Sequence, residues 1–137
     1  MSLRQRESVL LGCLWLAALI HLLPLAGVSG GSRLQALYGL APIIDPGVDL
    51  LLRHRAVLFG VLGMGLVIAS LRPDWRLPSI ALVLLSDLAF LGLAWSTPTL
   101  PPALTRVVHF DLVAVVALGL ALLCRTPDPL VRGPRGA

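Results

Sequence analysis

The stretch LTRVVHFDLVAVVALGLALLC, residues 104–124, decides the fold class. After Asp111 it carries no ionisable side chain until its last residue, Cys124. An α-helix rises 1.5 Å per residue, so roughly 20 such residues cross ~30 Å of hydrocarbon. Three more runs of this kind precede it, over residues 8–29, 56–71 and 78–96. The second is short, but Asp45-Pro46 supplies an N-cap followed by proline at the first helical position. A helix over 46–71 would be about 39 Å long, with its first turns in the interface. Arg72-Pro73-Asp74 stops that helix and Pro78 restarts the next, while the last extends back to Pro102. The sequence therefore predicts an all-α integral membrane four-helix bundle over 1–125, with spans at about 8–29, 46–71, 78–96 and 102–124.

Composition agrees with this. Of 137 residues, 57% are hydrophobic and only 13% charged, and the mean hydropathy is +0.90. A soluble domain is about 45–50% apolar and about 25% charged, so a soluble enzyme, a disordered chain and a disulfide scaffold are excluded. The eleven basic residues are all arginine, giving a net charge of +4 and a pI near 10.5. Arginines spread over every loop of a membrane protein set orientation and meet anionic headgroups, so no nucleic-acid partner is expected. Arg4 and Arg6 ahead of an apolar run, with Gly27-Val28-Ser29-Gly30 after it, resemble a signal peptide. The run is longer than the usual 7–15 residues of a signal h-region and is expected to stay as a span.

With the N-terminus inside, the inner segments hold Arg4, Arg6, Arg72, Arg76, Arg125, Arg132 and Arg135, against Arg33, Arg53, Arg55 and Arg106 outside. That balance predicts an N-in, C-in protein, with Trp75 and Trp95 as interfacial anchors. In the loop 30–55, Leu34, Leu37, Tyr38 and Ala41 share one helical face. They predict a short amphipathic interfacial helix after the first span. The tail 126–137 is expected to be disordered.

Ionisable groups within a span are costly and mark functional sites. From residue counts, His21 and Asp111 lie about 10 Å below the outer boundary, His109 about 3 Å shallower, and Asp87 near the midplane. These are the candidate catalytic residues: His21, Asp87, His109 and Asp111. Arg53, His54, Arg55 and Arg106 sit at the outer rim as candidate ligand-binding residues, where arginines could grip a phosphate or carboxylate. Asp49 is placed to pair with Arg53 four residues on.

Pro24 should free the Ile20 carbonyl beside His21. At 100° per residue, Asp111 lies 200° from His109, so a straight helix cannot aim both at one centre. No two histidines have i, i+3 or i, i+4 spacing and no Cys-x-x-Cys occurs. Three histidines with aspartates could form a Zn, Cu or haem site, but that spacing argues against a metal, and the sequence leaves the cofactor unknown. Cys13 and Cys124 fall on the inner side, where the reducing cytoplasm leaves them as packing residues.

The end of the first span (His21-Leu-Leu-Pro24), the run Leu51-Leu-Arg-His-Arg-Ala-Val-Leu-Phe-Gly60 and the segment Arg106–Asp111 together resemble a group of small bacterial four-helix membrane proteins. The group is similar in layout to the DoxX-like proteins, and the resemblance covers residues 8 to 124. Some relatives carry the label phosphopantetheine adenylyltransferase. That label implies a soluble nucleotide-binding fold with a His-x-Gly-His motif that this sequence lacks, so it is a misassignment. The resemblance implies a bacterial inner-membrane location but no established activity.

The sequence leads to a bundle with an outer-leaflet polar pocket. It would bind a lipid-phase or amphipathic small molecule such as a quinone or lipid, or serve as an accessory subunit of a membrane complex or homo-oligomer. The alternative is a membrane enzyme of the isomerase or cyclase type, using His/Asp acid–base chemistry on a lipophilic substrate. Proton translocation ranks third, because no polar path continues from Asp87 to the inner side.

Overall fold

A computed structural model describes residues 1–29 and 45–125. Helix α1 spans Leu3–Leu22 and passes into a 3-10 segment, Leu23–Ser29. Helix α2 spans Pro46–Leu71. A 3-10 turn at Pro73–Trp75 leads into α3, Arg76–Trp95, and α4 spans Pro102–Cys124. No strand occurs among the described residues, and the fold is an all-α four-helix bundle. All four helical segments are long and apolar enough to cross a membrane, which makes this a multi-pass membrane protein by helix length and composition. The expected amphipathic helix around Leu34–Ala41 and the tail 126–137 lie outside the described residues.

Local chemistry sets the helix ends. The Asp45 carboxylate accepts from the backbone N–H of Gly47 at 2.7 Å and of Val48 at 3.3 Å, and Pro46 opens the first turn of α2. These are orphan donors of the first turn, satisfied by the cap. Helix α1 begins five residues ahead of the apolar run expected from residue 8. Its start is a capping box, in which the Ser2 hydroxyl accepts from Gln5 N at 3.3 Å and Gln5 Oε1 accepts from Ser2 N at 2.8 Å. The paired side chains satisfy two donors at once, which makes a charged first turn stable.

The helices form a square. α1 packs against α2 and α4, and α3 packs against the same two, whereas the diagonal pair α1 and α3 has no close backbone approach. With four helices running alternately up and down, the start of α1 and the end of α4 lie at one end, called here the terminal end. The apolar core sits in that half: Leu10, Leu14, Leu66, Ile80 and Leu118 are fully buried, with Ala17, Ala69, Ala114 and Ala121 between them. In lipid there is no hydrophobic drive between helices, so association rests on close packing, and small residues let backbones approach. At the opposite end Gly60 and Gly63 of α2 receive Leu25 and Leu22 of the first span.

Candidate functional site

The half of the bundle away from the termini has a polar interior. Three ionisable side chains from three helices are buried there: His21 of α1, Asp87 of α3 and Asp111 of α4, with exposures of 0, 1 and 2%. His21 sits at the end of α1, where the helix tightens into the 3-10 segment. Its Nδ1 lies 2.8 Å from the Ala17 carbonyl. The physical reason is helical geometry: a carbonyl four residues back lies on the same face one turn below, within reach of the ring.

A carbonyl can only accept, so Nδ1 carries a proton and donates it to Ala17. The other ring nitrogen, Nε2, faces Asp87 Oδ1 at 3.0 Å across the diagonal of the bundle. That contact holds one proton, making either an imidazolium with a carboxylate or an imidazole with a carboxylic acid. The pair is neutral overall in both forms, which suits burial in a medium where an unpaired charge is costly. The second carboxyl oxygen of Asp87, Oδ2, has no hydrogen-bond partner among the described residues.

Aromatic groups frame the pair. The His21 ring stacks on Phe59 with centroids 5.5 Å apart and planes 27° from parallel. Phe59 also carries the guanidinium of Arg55, 5.2 Å from its centroid, and the same group lies 4.9 Å over Phe90. Arg55 is thus half-buried between two rings, an arrangement that holds a cation at reduced desolvation cost.

Asp111 opens onto a cavity of about 190 Å³ between the end of the first span and the start of α4. The walls include Ile20, Pro24, Phe59, Ala103 and Val107, and Arg106 stands with Asp111 as its ionisable lining. Asp111 Oδ2 is buried without a hydrogen-bond partner among the described residues. Leu23 and Phe110, also in the wall, are 60% and 52% exposed, so the opening is flanked by apolar side chains.

The structure brings together His21, Asp87 and Asp111, with Arg55 beside them. It leaves His109 exposed on the other flank of α4, the consequence of the 200° that separates it from Asp111. His54 is exposed as well. Arg53 is engaged with protein: its Nε donates to the Val28 carbonyl at 3.1 Å and its terminal nitrogen lies 3.7 Å from Asp49. It therefore ties the start of α2 to the end of the first span. Phe59, Ala103 and Val107 were not singled out by sequence, although Phe59 stands one turn after Arg55 and shares its face. Among the described residues no group of three His, Cys, Asp or Glu is arranged to hold a metal ion. No protein family, curated protein or solved structure matches the chain, so its function rests on this geometry.

Proposed function

We propose that this protein is an N-in, C-in inner-membrane protein whose outer-leaflet pocket binds a lipid-phase or amphipathic small molecule, by itself or as an accessory subunit of a membrane complex. The observation that carries this reading is a largely apolar cavity of about 190 Å³ in the polar half of the bundle, with Asp111 and Arg106 in its lining. Pockets of drug size run to about 300–1,000 Å³, and a ~150 Å³ apolar cavity suffices for benzene. A volume near 190 Å³ therefore suits one ring or an equally compact head. The exposed Leu23 and Phe110 beside it offer an apolar exit for a tail into lipid.

Mass spectrometry of lipids and small molecules that copurify with the full chain tests this. Ala103→Phe fills the cavity from the first turn of α4, and Asp111→Leu removes its polar anchor. Each should deplete the same copurifying molecule by about tenfold while the bundle stays folded, the loss expected when a charge-assisted hydrogen bond or the space itself is removed. Unchanged retention in both variants overturns the pocket.

The second reading, an isomerase- or cyclase-type enzyme, is supported by the single proton held between His21 and Asp87 close to Asp111. A donor and an acceptor in one dry site are the equipment of general acid–base catalysis. Chemical conversion of the copurified molecule by wild-type protein, lost in His21→Leu, would select it over simple binding.

A further inference from the structure

We propose that Arg106 makes the cavity a site for an anionic amphiphile, with a carboxylate or phosphate head at its rim and the apolar body inside. This rests on the pocket reading above and adds to it the chemical class of the ligand.

The distribution of charge carries the proposal. The end of the bundle away from the termini holds Arg53, Arg55 and Arg106, and the connecting sequence 30–44 adds Arg33 and no acid. The other acids at this end are engaged. Asp45 caps α2 through Gly47 and Val48, Asp49 lies 3.7 Å from Arg53, and Asp87 meets His21. Arg53 is also held by the Val28 carbonyl, and Arg55 lies over Phe59 and Phe90. Arg106 differs from both. It is exposed and lines the cavity, and among the described residues no ion pair or side-chain hydrogen bond reaches it. Its guanidinium is permanently charged and presents a fork of N–H donors that matches a carboxylate or phosphate.

The cavity receives the rest of such a molecule. Ile20, Phe59 and Val107 give it apolar walls, and about 190 Å³ suits one ring. An amphiphile can keep its head hydrated at the exposed guanidinium while its ring is covered, and a tail leaves past Leu23 and Phe110. Asp111 does not bar an anion at the rim. It is 2% exposed and stands five residues further into α4, about 7.5 Å along the axis. Charges that far apart interact weakly where water is present. A cationic amphiphile meets Arg106 as a like charge. A neutral one accepts hydrogen bonds from it without the added attraction of opposite charges, so the anion ranks first.

The test uses the full chain in nanodiscs of zwitterionic lipid and three matched probes titrated calorimetrically: 4-pentylbenzoate, 4-pentylbenzamide and 4-pentylbenzylammonium. Each titration is repeated on Ala103→Phe, or on Val107→Phe should that not fold, where a filled cavity reports partition into lipid alone. At the wild-type site the benzoate should bind at least about fivefold tighter than the benzamide, with the ammonium weakest. Arg106→Gln, at an exposed position, should bring benzoate and benzamide to within about twofold of each other. Arg106→Lys should keep part of the preference. Arg125→Gln, which removes the same charge at the terminal end, should keep all of it.

Phosphatidylglycerol added to the discs separates the two sources of such a head. A lipid phosphate at Arg106 competes, weakening the benzoate at least about threefold more in wild type than in Arg106→Gln. A free carboxylate amphiphile as the natural occupant leaves the two equally weakened. A benzamide or ammonium that equals the benzoate, or a benzoate preference that survives Arg106→Gln, overturns the anionic class while the pocket stands. Titrations that are the same in wild type and the filled variant for every probe overturn the pocket reading as well.

Discussion

The two halves of the bundle solve the same packing problem with different chemistry. Toward the termini, Leu10, Leu14, Leu66, Ile80 and Leu118 fill the centre, and alanines let the helices close around them. Away from the termini, the centre is held by His21, Asp87 and Asp111, and a cavity remains beside them. Each half also has a polar bridge between α1 and α3, the diagonal pair whose backbones stay apart. Arg76 meets the Glu7 carboxylate through two nitrogens, at 3.2 and 2.5 Å, where the Glu7 side chain is 48% exposed and that of Arg76 13%. His21 meets Asp87 where both side chains are fully buried. The link is alike but the surroundings differ. At the rim a charge has water as an alternative partner, and in the interior it has none, so the buried bridge fixes the structure around it and the rim bridge decorates it.

Breaking the buried bridge should therefore produce the largest effect. Asp87→Leu alone leaves His21 Nε2 facing a hydrocarbon, and His21→Leu alone leaves a buried carboxyl. Loss of one partner from a buried pair typically costs about 3–5 kcal/mol, against ~0.6 kcal/mol for an average interhelical hydrogen bond in a membrane. Each single variant should lose about 3 kcal/mol in reversible unfolding from mixed micelles, since an orphaned partner remains. The double variant His21→Leu/Asp87→Leu should regain about half of that or more, because no orphan is left. Single losses below about 1 kcal/mol would mean that the polar half is held no differently from an exposed surface.

Much of this contrast is legible in the sequence, and the limits have physical causes. Helix α2 starts at Pro46 because Asp45-Pro46 is a local signal, complete within four residues. His21, Asp87 and Asp111 stand out because each costs free energy in lipid whatever its partner. The choice between Asp111 and His109 was narrower. Their angular separation says that only one faces inward, and nothing local says which.

The pairing of His21 with Asp87 is a contact across 66 residues and across a diagonal, so it depends on the order of helices around the square. The cavity is further still from sequence, since it arises where the Leu23–Ser29 segment diverges from α4 opposite Ala103. The start of α1 was hidden for another reason: Arg4, Arg6 and Glu7 resemble a boundary, and only Ser2 with Gln5 betrays the cap.

Glycine contacts sharpen the comparison at an intermediate scale. A Cβ on Gly63 would stand 2.8 Å from Leu22 Cγ and 3.1 Å from the Ala18 backbone oxygen, atoms of α1 with little freedom to move. A Cβ on Gly60 would meet Leu25 Cδ1 at 2.6 Å, the far end of a flexible side chain on the 3-10 segment. A Cβ on Gly119 of α4 would meet nothing within 4 Å. Overpacking typically costs about 1–3 kcal/mol and the helix propensity of alanine returns up to about 1. Gly63→Ala should therefore lose about 1–2 kcal/mol, Gly60→Ala less than about 1, and Gly119→Ala nothing or a slight gain. The same unfolding assay reads all three. Equal losses at Gly60 and Gly63 would show that the end of the first span is packed as rigidly as α1 itself.

The smallest effect belongs to the rim bridge. Glu7→Gln keeps an acceptor for Arg76 and removes only the charge, while Arg76 retains its hydrogen bond from Nε to the Ala69 carbonyl at 3.4 Å. Exposed ion pairs contribute about 0–1 kcal/mol, so the variant should lose about 0.5 kcal/mol or less. Raising the salt to about 1 M shortens the screening length to ~3 Å, and wild type should then approach the variant. The same salt should leave the His21 and Asp87 single variants as far below wild type as before, because screening ions do not enter a dry interior. A loss above about 2 kcal/mol for Glu7→Gln would exceed what an exposed pair supplies. It would mean that the termini-side half leans on its charge as heavily as the opposite half, and the division between a packed end and a polar end would no longer hold.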